Sequence, residues 1–510
     1  MNETFSGLTT LGDKFAAHVV LSAAALALGV ALGLPLAVWA TRSRTVSRLA
    51  LGFASLVQTV PALALLALFF PILLSLRGVF GDGLPTLGFL PALLALALYA
   101  LLPILRNAIT ARAEMDPGVL EAADAVGMTK WQKLRLVEAP LAAPFVMAGI
   151  RTAAVWTIGA ATLSTTVGQP GLGDPIFAGL QTQNWALVLA GCIASAGLAL
   201  AADLLLGLVE RGLKLRRPAL AWSGLALVAT GILTAMLAGR AQPRDTVVIG
   251  AKNFSEQYIL ARLIGERLQD QGYSVSYRQG LGSAVIHRAL TSGQIDVYVD
   301  YSGTVWANEM KRAEPVNRRE MLRSISQWER KSSGTLLLGA LGFENAYAFA
   351  MKQQRARQLG IASLGDLAAK GRDLTLGADL EFLRRPEWRA VDAAYGLGAL
   401  RQKSFAPTFM YDALASGEAD VISAFSSDGR IAADRLTVLE DPKGALPAYD
   451  AILLVAPRRA GDERFLAALG PLVGAIPVAA MREANFMVDR AEDKRSPEAA
   501  ARWLAGRLSR

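Results

Sequence analysis

Residues 219–239, ALAWSGLALVATGILTAMLAG, carry no charged side chain and match the roughly 20 residues that an α-helix needs to cross a hydrocarbon core. The stretch sits where the composition changes abruptly. Everything before it reads as membrane, whereas residues 242–510 form a charged, glycine-punctuated stretch of ordinary globular composition. This helix therefore decides on which side of the bilayer the second half lives.

Upstream, apolar spans recur at 15–40, 49–76, 84–105, 140–165 and 185–202, so residues 219–239 make the sixth. Arg42, Arg44 and Arg48 follow the first span, Arg106, Arg112, Lys130, Lys133 and Arg135 the third, and Arg211, Lys214, Arg216 and Arg217 the fifth. The alternate loops hold only Lys14 and Arg77. Twelve basic residues against two place the N-terminus outside, the basic loops inside, and residues 242–510 outside an inner membrane. The first twelve residues lack a basic side chain, and the apolar run beyond Lys14 exceeds a signal-peptide core, so the first helix is expected to stay in the membrane.

At 510 residues and 53% hydrophobic composition, the chain is too long for one domain and too apolar for a purely soluble protein. The net charge of +9 comes from scattered basic residues that flank apolar spans, so topology explains it and no nucleic-acid partner is expected. The single Cys192 excludes an intramolecular disulfide, and His18 and His287 are too few for a histidine metal site. No nucleophile–base pair is legible and no G-x-x-x-x-G-K-[ST] occurs; an enzyme is not expected, no cofactor is implied, and any ATP must be bound by a partner chain.

Two charges fall within or beside the spans, Arg151 and Asp203; they either pair with each other or extend separately to the interface. Pro61, Pro71, Gly168, Pro170, Gly171 and Gly173 mark broken backbone, and 168–174 is a candidate outer gate. The third inner loop reads Glu121-Ala122-Ala123, then Gly127, then Val137 and Ala139-Pro140. A glycine lets the chain turn without a Cβ penalty, and small alanines allow close docking. One reading is an amphipathic loop helix with no partner. The other is a coupling element, because the pattern resembles the EAA motif of ATP-binding-cassette (ABC) importer permeases. That resemblance implies that Glu121, Ala122, Ala123, Gly127 and Pro140 meet a cytoplasmic ATPase; Ala139 departs from it where leucine is more usual.

In the second half, after a short linker at 240–244, β-branched runs alternate with amphipathic stretches: 246–250 (strand), 255–271 (helix, opened by Ser255), 274–277, 284–292 and 296–299. This argues for βαβ units around a mainly parallel sheet. An internal repeat, ALTSGQIDV at 289–297 and ALASGEADV at 413–421, is offset by 124 residues. Each copy is a helix end, a glycine cap and a strand start, so the chain builds two similar lobes with a cleft between them. Five residues beyond the repeated aspartate stand Tyr301 and Phe425, at strand ends that face a ligand crevice. Tyr347 and Tyr411 can join them. Four rings on one point form a cage for a quaternary ammonium; taken singly, each ring is ordinary core packing.

Residues 246–440 resemble the substrate-binding proteins of glycine betaine, carnitine and choline (osmoprotectant) importers. The likeness lies in GAKNFSEQ (250–257), YSGT (301–304), GFENAY (342–347) and AFSSDGR (424–430). Fused permease–receptor chains occur in that group. The resemblance implies a multi-domain chain: an all-α polytopic permease (1–217), a sixth helix and linker (218–244), and a two-lobed α/β type II binding domain (245–510). Lobe 1 would cover about 245–340 and 441–510, and lobe 2 about 341–440. It further implies Tyr301, Tyr347 and Tyr411 as cage residues with Phe425 at a position where tyrosine is common. Asn253, Gln257, Ser283, Thr304 and Asn345 would supply polar contacts, and Arg385 would meet a substrate carboxylate. The partners implied are an ABC ATPase, a second copy of the chain, membrane lipid and a small quaternary-ammonium ligand. Phe425, Leu383 and Arg384 depart from the family pattern, which leaves room for another zwitterion or amino acid, such as a thiol-imidazole betaine. A membrane-anchored ligand sensor is the rival from another class; it predicts fewer spans.

Overall fold

The structure, a computed structural model, describes residues 2–81, 84–182, 184–239, 246–312, 314, 316–406, 409–490 and 492–508. The linker expected at 240–244 lies outside them. The chain divides into two units, Met1–Phe177 with Ala186–Gln242, and Ala178–Trp185 with Pro243–Arg510.

The first unit is helical: α1 (Asn2–Ala40), α2 (Arg44–Thr59), α3 (Ala62–Phe80), α4 (Phe89–Ala113), α5 (Pro117–Ala125), α6 (Lys130–Lys133), α7 (Ala139–Ala161), α8 (Gly173–Gln181), α9 (Trp185–Lys214) and α10 (Pro218–Gly239). Among the described residues six helical stretches are long and apolar enough to cross a membrane. The second is not the continuous run 49–76. Val60 is extended ahead of Pro61, whose ring disfavours a helical residue before it, so α2 ends and α3 alone makes the span. The amphipathic α2 turns Ala50, Ala54 and Val57 inward and leaves Leu49, Phe53 and Leu56 exposed.

Small residues set the packing of α1, α4 and α7. A Cβ on Gly29 would lie 2.8 Å from Ala100 Cβ, and one on Gly149 would lie 2.8 Å from the Pro103 carbonyl oxygen. Without a hydrophobic drive between helices in lipid, such close approach supplies the attraction through dispersion. The Arg151–Asp203 alternative resolves as a pair. Arg151 Nε and Nη2 donate to the two Asp203 carboxylate oxygens at 2.6 and 2.8 Å, and Nη1 donates to Glu210 at 2.9 Å. Gly207, between those two acids on α9, leaves space for the guanidinium. The 168–174 segment is tied down. His18 Nε2 donates to the Ile158 carbonyl at 3.0 Å and Nδ1 accepts from Leu172 N–H, while Thr165 and Lys14 both hold Asp174.

The second unit holds two five-stranded sheets. The first orders β2 (Ser274–Leu281), β1 (Thr246–Lys252), β3 (Val297–Tyr301), β10 (Asp450–Val455) and β4 (Leu336–Glu344); the second orders β7 (Arg401–Ser404), β6 (Thr375–Ala378), β8 (Val421–Phe425), β5 (Tyr347–Lys352) and β9 (Leu436–Val438). Each has two parallel pairings followed by two antiparallel ones, so the sheets are mixed rather than mainly parallel. The antiparallel half arises because the strands entered from the other lobe, β10 and β5, run against their neighbours. β4 stays in the first sheet through Glu344, so the chain crosses at residues 345 and 346 and returns between β9 and β10.

The sequence repeat occupies one station in both sheets. Asp296 accepts from Val248 N–H at 2.8 Å, and Asp420 accepts from Thr375 N–H at 3.0 Å, so each aspartate ties its central strand to the neighbouring parallel one. The crossings are joined by Asn345 N–H to Tyr449 O at 2.9 Å and by Ala346 N–H to Ser426 Oγ at 2.9 Å.

Candidate functional site

Between the two sheets lies a cavity of about 170 Å³. Tyr301 ends β3 and Phe425 ends β8, and both line it, as the repeat implied. Tyr347, opening β5, is paired in register with Phe425, and their ring centroids are 5.1 Å apart. The fourth ring of the wall is Phe254. It lies parallel to Phe425 at 6.3 Å and within 28° of the Tyr301 ring plane at 6.1 Å. Tyr449 closes the wall edge-on to Tyr347 at 5.7 Å.

Tyr411 does not join that cluster. The Arg430 guanidinium sits 3.9 Å from its ring centroid, occupying the face expected to receive a cation, and Tyr411 lines a neighbouring, smaller cavity instead. Asp428 holds Arg430 there through two hydrogen bonds. Gln257 also misses the cavity. Its amide nitrogen donates to Val299 O and Tyr301 Oη, both at 3.0 Å, so it positions the Tyr301 ring rather than touching a ligand.

Asn253, Ser283, Thr304, Asn345 and Arg385 do line the large cavity. Arg385 is already engaged. Its Nε and Nη2 form a fork with Glu387 at 3.1 and 3.0 Å, and Nη1 donates to Glu381 at 2.9 Å. Tyr449 Oη donates to Glu387 as well. A five-donor guanidinium held this way keeps one N–H on Nη1, and its partner Glu381 is 62% exposed. The ion pair was foreshadowed by acids at Glu381 and Glu387 on either side of Arg385 in the sequence.

The polar hub beneath the rings is Glu256. Tyr301 Oη donates to it at 2.6 Å, Asn345 Nδ2 at 3.0 Å and Asn485 Nδ2 at 2.8 Å. Ser255, expected to open the helix Ser255–Asp270 (α11) as its cap, instead donates to Asp489, and Phe254 is the capping residue. Burial pushes the Glu256 carboxyl above its usual range, and burial together with the Glu256 charge holds the Tyr301 phenol well above its own, so Tyr301 remains a donor. Asp379, at the cavity edge, is raised by burial and receives Phe382 N–H. Sequence reasoning passed over Glu256 and Phe254 although both stand in the quoted 250–257 stretch. Asn485, more than two hundred residues away, had no local signal.

In the helical unit, the Glu121–Pro140 pattern forms two arms. Asp116 caps α5 through Gly118 N–H at 2.8 Å. Gly127 turns at φ +77°, a conformation that favours glycine, and a Thr129–Gln132 capping box opens α6. Lys133 bridges back to Asp124 at 2.6 Å, and a π-helical turn, Leu134–Glu138, leads into α7. Glu121, Ala122, Gly127 and Pro140 are exposed while Ala123 packs inward. Val126, Trp131 and Leu136 present an exposed apolar strip between the two arms.

Residues 245–506 match the family described as the substrate binding domain of the ABC-type glycine betaine transport system, and residues 29–215 match the binding-protein-dependent transport system inner membrane component. The ergothioneine transport permease/ergothioneine binding protein EgtU of Helicobacter pylori (strain G27) is 29% identical over 88% of this chain and 82% of its own length. The glycine betaine/carnitine/choline transport system permease protein OpuCB of Bacillus subtilis (strain 168) is 40% identical over 41% of this chain and 94% of its own. A solved structure described as a glycine betaine/carnitine/choline ABC transporter aligns over 52% of this chain and 98% of its own at 26% identity, with a TM-score of 0.46. The chain belongs to the glycine betaine-type, or osmoprotectant, ABC importer family, as an inner-membrane permease and an extracytoplasmic substrate-binding domain fused in one polypeptide.

Proposed function

We propose that the binding domain captures a zwitterionic quaternary-ammonium solute and hands it to the fused permease, with ATP hydrolysed by a separate cytoplasmic subunit and two copies of this chain forming the pathway. The observation that supports this is the convergence of Phe254, Tyr301, Tyr347 and Phe425 on one cavity that Arg385 also lines. A quaternary ammonium donates no hydrogen bond and is held by π faces, while the guanidinium receives the carboxylate as it exchanges Glu381. Asn253, Ser283, Thr304 and Asn345 orient the solute. The exposed strip around Trp131, with Glu121, Ala122, Gly127 and Pro140, is the surface on which the ATPase acts. Closure of the lobes about residues 345–346 and 439–449 commits the solute. Tethering keeps the receptor at high local concentration, so weak docking on the permease suffices.

A second reading keeps the site and changes the cargo to a thiol-imidazole betaine. It is favoured by Asn345, whose buried Oδ1 has no hydrogen-bond partner, because glycine betaine offers no N–H to it. EgtU, named for ergothioneine, matches along both halves of the chain. The full chain in lipid nanodiscs, titrated calorimetrically with glycine betaine, choline, carnitine and ergothioneine, tests both. Binding of at least one, weakened about tenfold or more by Tyr347→Ala, is expected, since a desolvated cation–π contact is worth about 2 kcal/mol. No heat with any of the four would overturn the assignment.

A further inference from the structure

The helix Val478–Asp489 belongs to lobe 1 by its packing, since Met481, Ala484 and Val488 enter the core around the first sheet. Its other side meets lobe 2. Arg482, Asn485, Phe486 and Asp489 stand at the i, i+3, i+4 and i+7 positions that share one face of a helix. Against that face lies the loop 426–430, which directly follows Phe425 at the end of β8. Arg482 Nε donates to Ser426 O at 2.8 Å, and Asn485 Nδ2 donates to Ser427 O at 2.9 Å. A Cβ on Gly429 would stand 2.4 Å from Arg482 O and from Phe486 Cβ, so only a glycine lets the loop lie this close to the helix.

The loop is also gripped from its opposite side. Ser426 N–H donates to Ala346 O at 2.9 Å, and Ser426 Oγ accepts from Ala346 N–H at 2.9 Å, which joins the loop to the first crossing of the chain between the lobes. A segment bonded at once to lobe 1 and to a crossing can keep both sets of bonds only near the axis about which the lobes turn. Arg482 and Gly429 line neither cavity, so both act at a distance from a bound solute.

We propose that the helix Val478–Asp489 is a third, non-covalent connection between the lobes, and that Arg482 and Asn485 are positioning residues that hold lobe 2 near its solute-binding orientation before the solute arrives. This rests on the lobe closure proposed above and not on the identity of the cargo. A receptor whose binding-competent orientation is only partly populated loses affinity by that fraction, and the loss is the same for every solute. Freeing the loop therefore weakens all solutes by one factor, whereas removing a group that touches the solute changes their ranking.

The test uses the full chain in nanodiscs and two variants: Arg482→Met, which removes a donor to the loop, and Gly429→Ala, which forces the loop off the helix. Calorimetric titration with glycine betaine, choline, carnitine and ergothioneine should show every solute that binds the wild type weakened about tenfold, by factors that agree within about threefold, at unchanged stoichiometry. Spin labels at two exposed positions, Gln269→Cys in lobe 1 and Lys403→Cys in lobe 2, are placed in a Cys192→Ser background. Without solute, both variants should broaden the distance distribution between the labels. Should Gly429→Ala fail to fold, Arg482→Met, at a half-buried position, carries both readouts. An affinity change below twofold, factors that diverge more than threefold among solutes, or an unbroadened distribution overturns the proposal. If none of the four solutes binds the wild type, the cargo assignment falls, and the distance distribution alone decides this proposal.

Discussion

The two lobes carry the same ALxSGxxDV pattern at the same station of equivalent sheets, yet they anchor the site differently. In lobe 1, Asp296 is fully buried, accepts from Val248 N–H and also binds Arg458 and Arg459. In lobe 2, Asp420 is part-exposed, keeps the equivalent hydrogen bond, and among the described residues has only Arg355, at 3.9 Å, as an ionic neighbour. The same holds five residues on. The Tyr301 hydroxyl is fixed by Glu256 and Gln257, whereas Phe425 is placed by ring contacts alone. The duplicated scaffold sets the position of each ring, and the unduplicated polar groups tie down the lobe 1 ring by hydrogen bonds, so lobe 1 is expected to be the more rigid wall of the two.

Removing the two aspartates is the strongest way to break this contrast. Asp296→Ala leaves a strand N–H and two arginines without their buried partner and is expected to cost about 3–5 kcal/mol. Asp420→Ala loses one hydrogen bond and a screened ion pair, about 1 kcal/mol. Thermal unfolding of the full chain, followed through the fluorescence of the soluble unit, reads both. Equal losses would show that the lobes are anchored alike.

A titration sharpens the contrast at the junction. Asp489, on the helix Val478–Asp489 that packs with lobe 1, is raised by burial to about 6 beside the Asp428–Arg430 pair of lobe 2. The folded protein thus holds this proton up to about pH 6, while the unfolded chain releases it near the ordinary carboxyl value of about 4. Stability contributed here is full at low pH, falls as pH rises between those values, and is lost above about 6. Asp489→Asn should flatten that slope and raise the melting point at pH 7 to 8 by the equivalent of about 1–3 kcal/mol. An unchanged pH profile would place the titrating group elsewhere.

What was legible in the sequence follows from how local each constraint is. Bilayer thickness acts on every residue of a span, so the six crossings stood out, and the one error fell at Pro61, where backbone restriction overrides apolar continuity. The repeat was legible because Asp296 and Asp420 do the same job on the same strand. The rings were half legible. Strand position gave Tyr301 and Phe425, and the family resemblance added Tyr347, but Tyr411, added the same way, comes from the short helix Met410–Ser416, whose facing depends on Arg430, a residue from another element. Asn485 was invisible, since only tertiary folding brings its helix to Glu256.

The smallest effect is the most discriminating. Tyr301→Phe deletes the phenol that donates to buried Glu256 and receives Gln257, and it should cost about 1–3 kcal/mol in stability together with a weakened ligand affinity. Phe425→Tyr adds a hydroxyl to a ring that is already half-buried against Phe254 and Tyr347. If lobe 2 is the adaptable wall, the new oxygen finds the open cavity, stability changes by less than about 0.5 kcal/mol, and affinity shifts only among solutes that can hydrogen-bond to it. A stability loss as large as that of Tyr301→Phe would mean that Phe425 is held as tightly as its counterpart, and that the asymmetry of the cleft resides in the ligand rather than in the lobes.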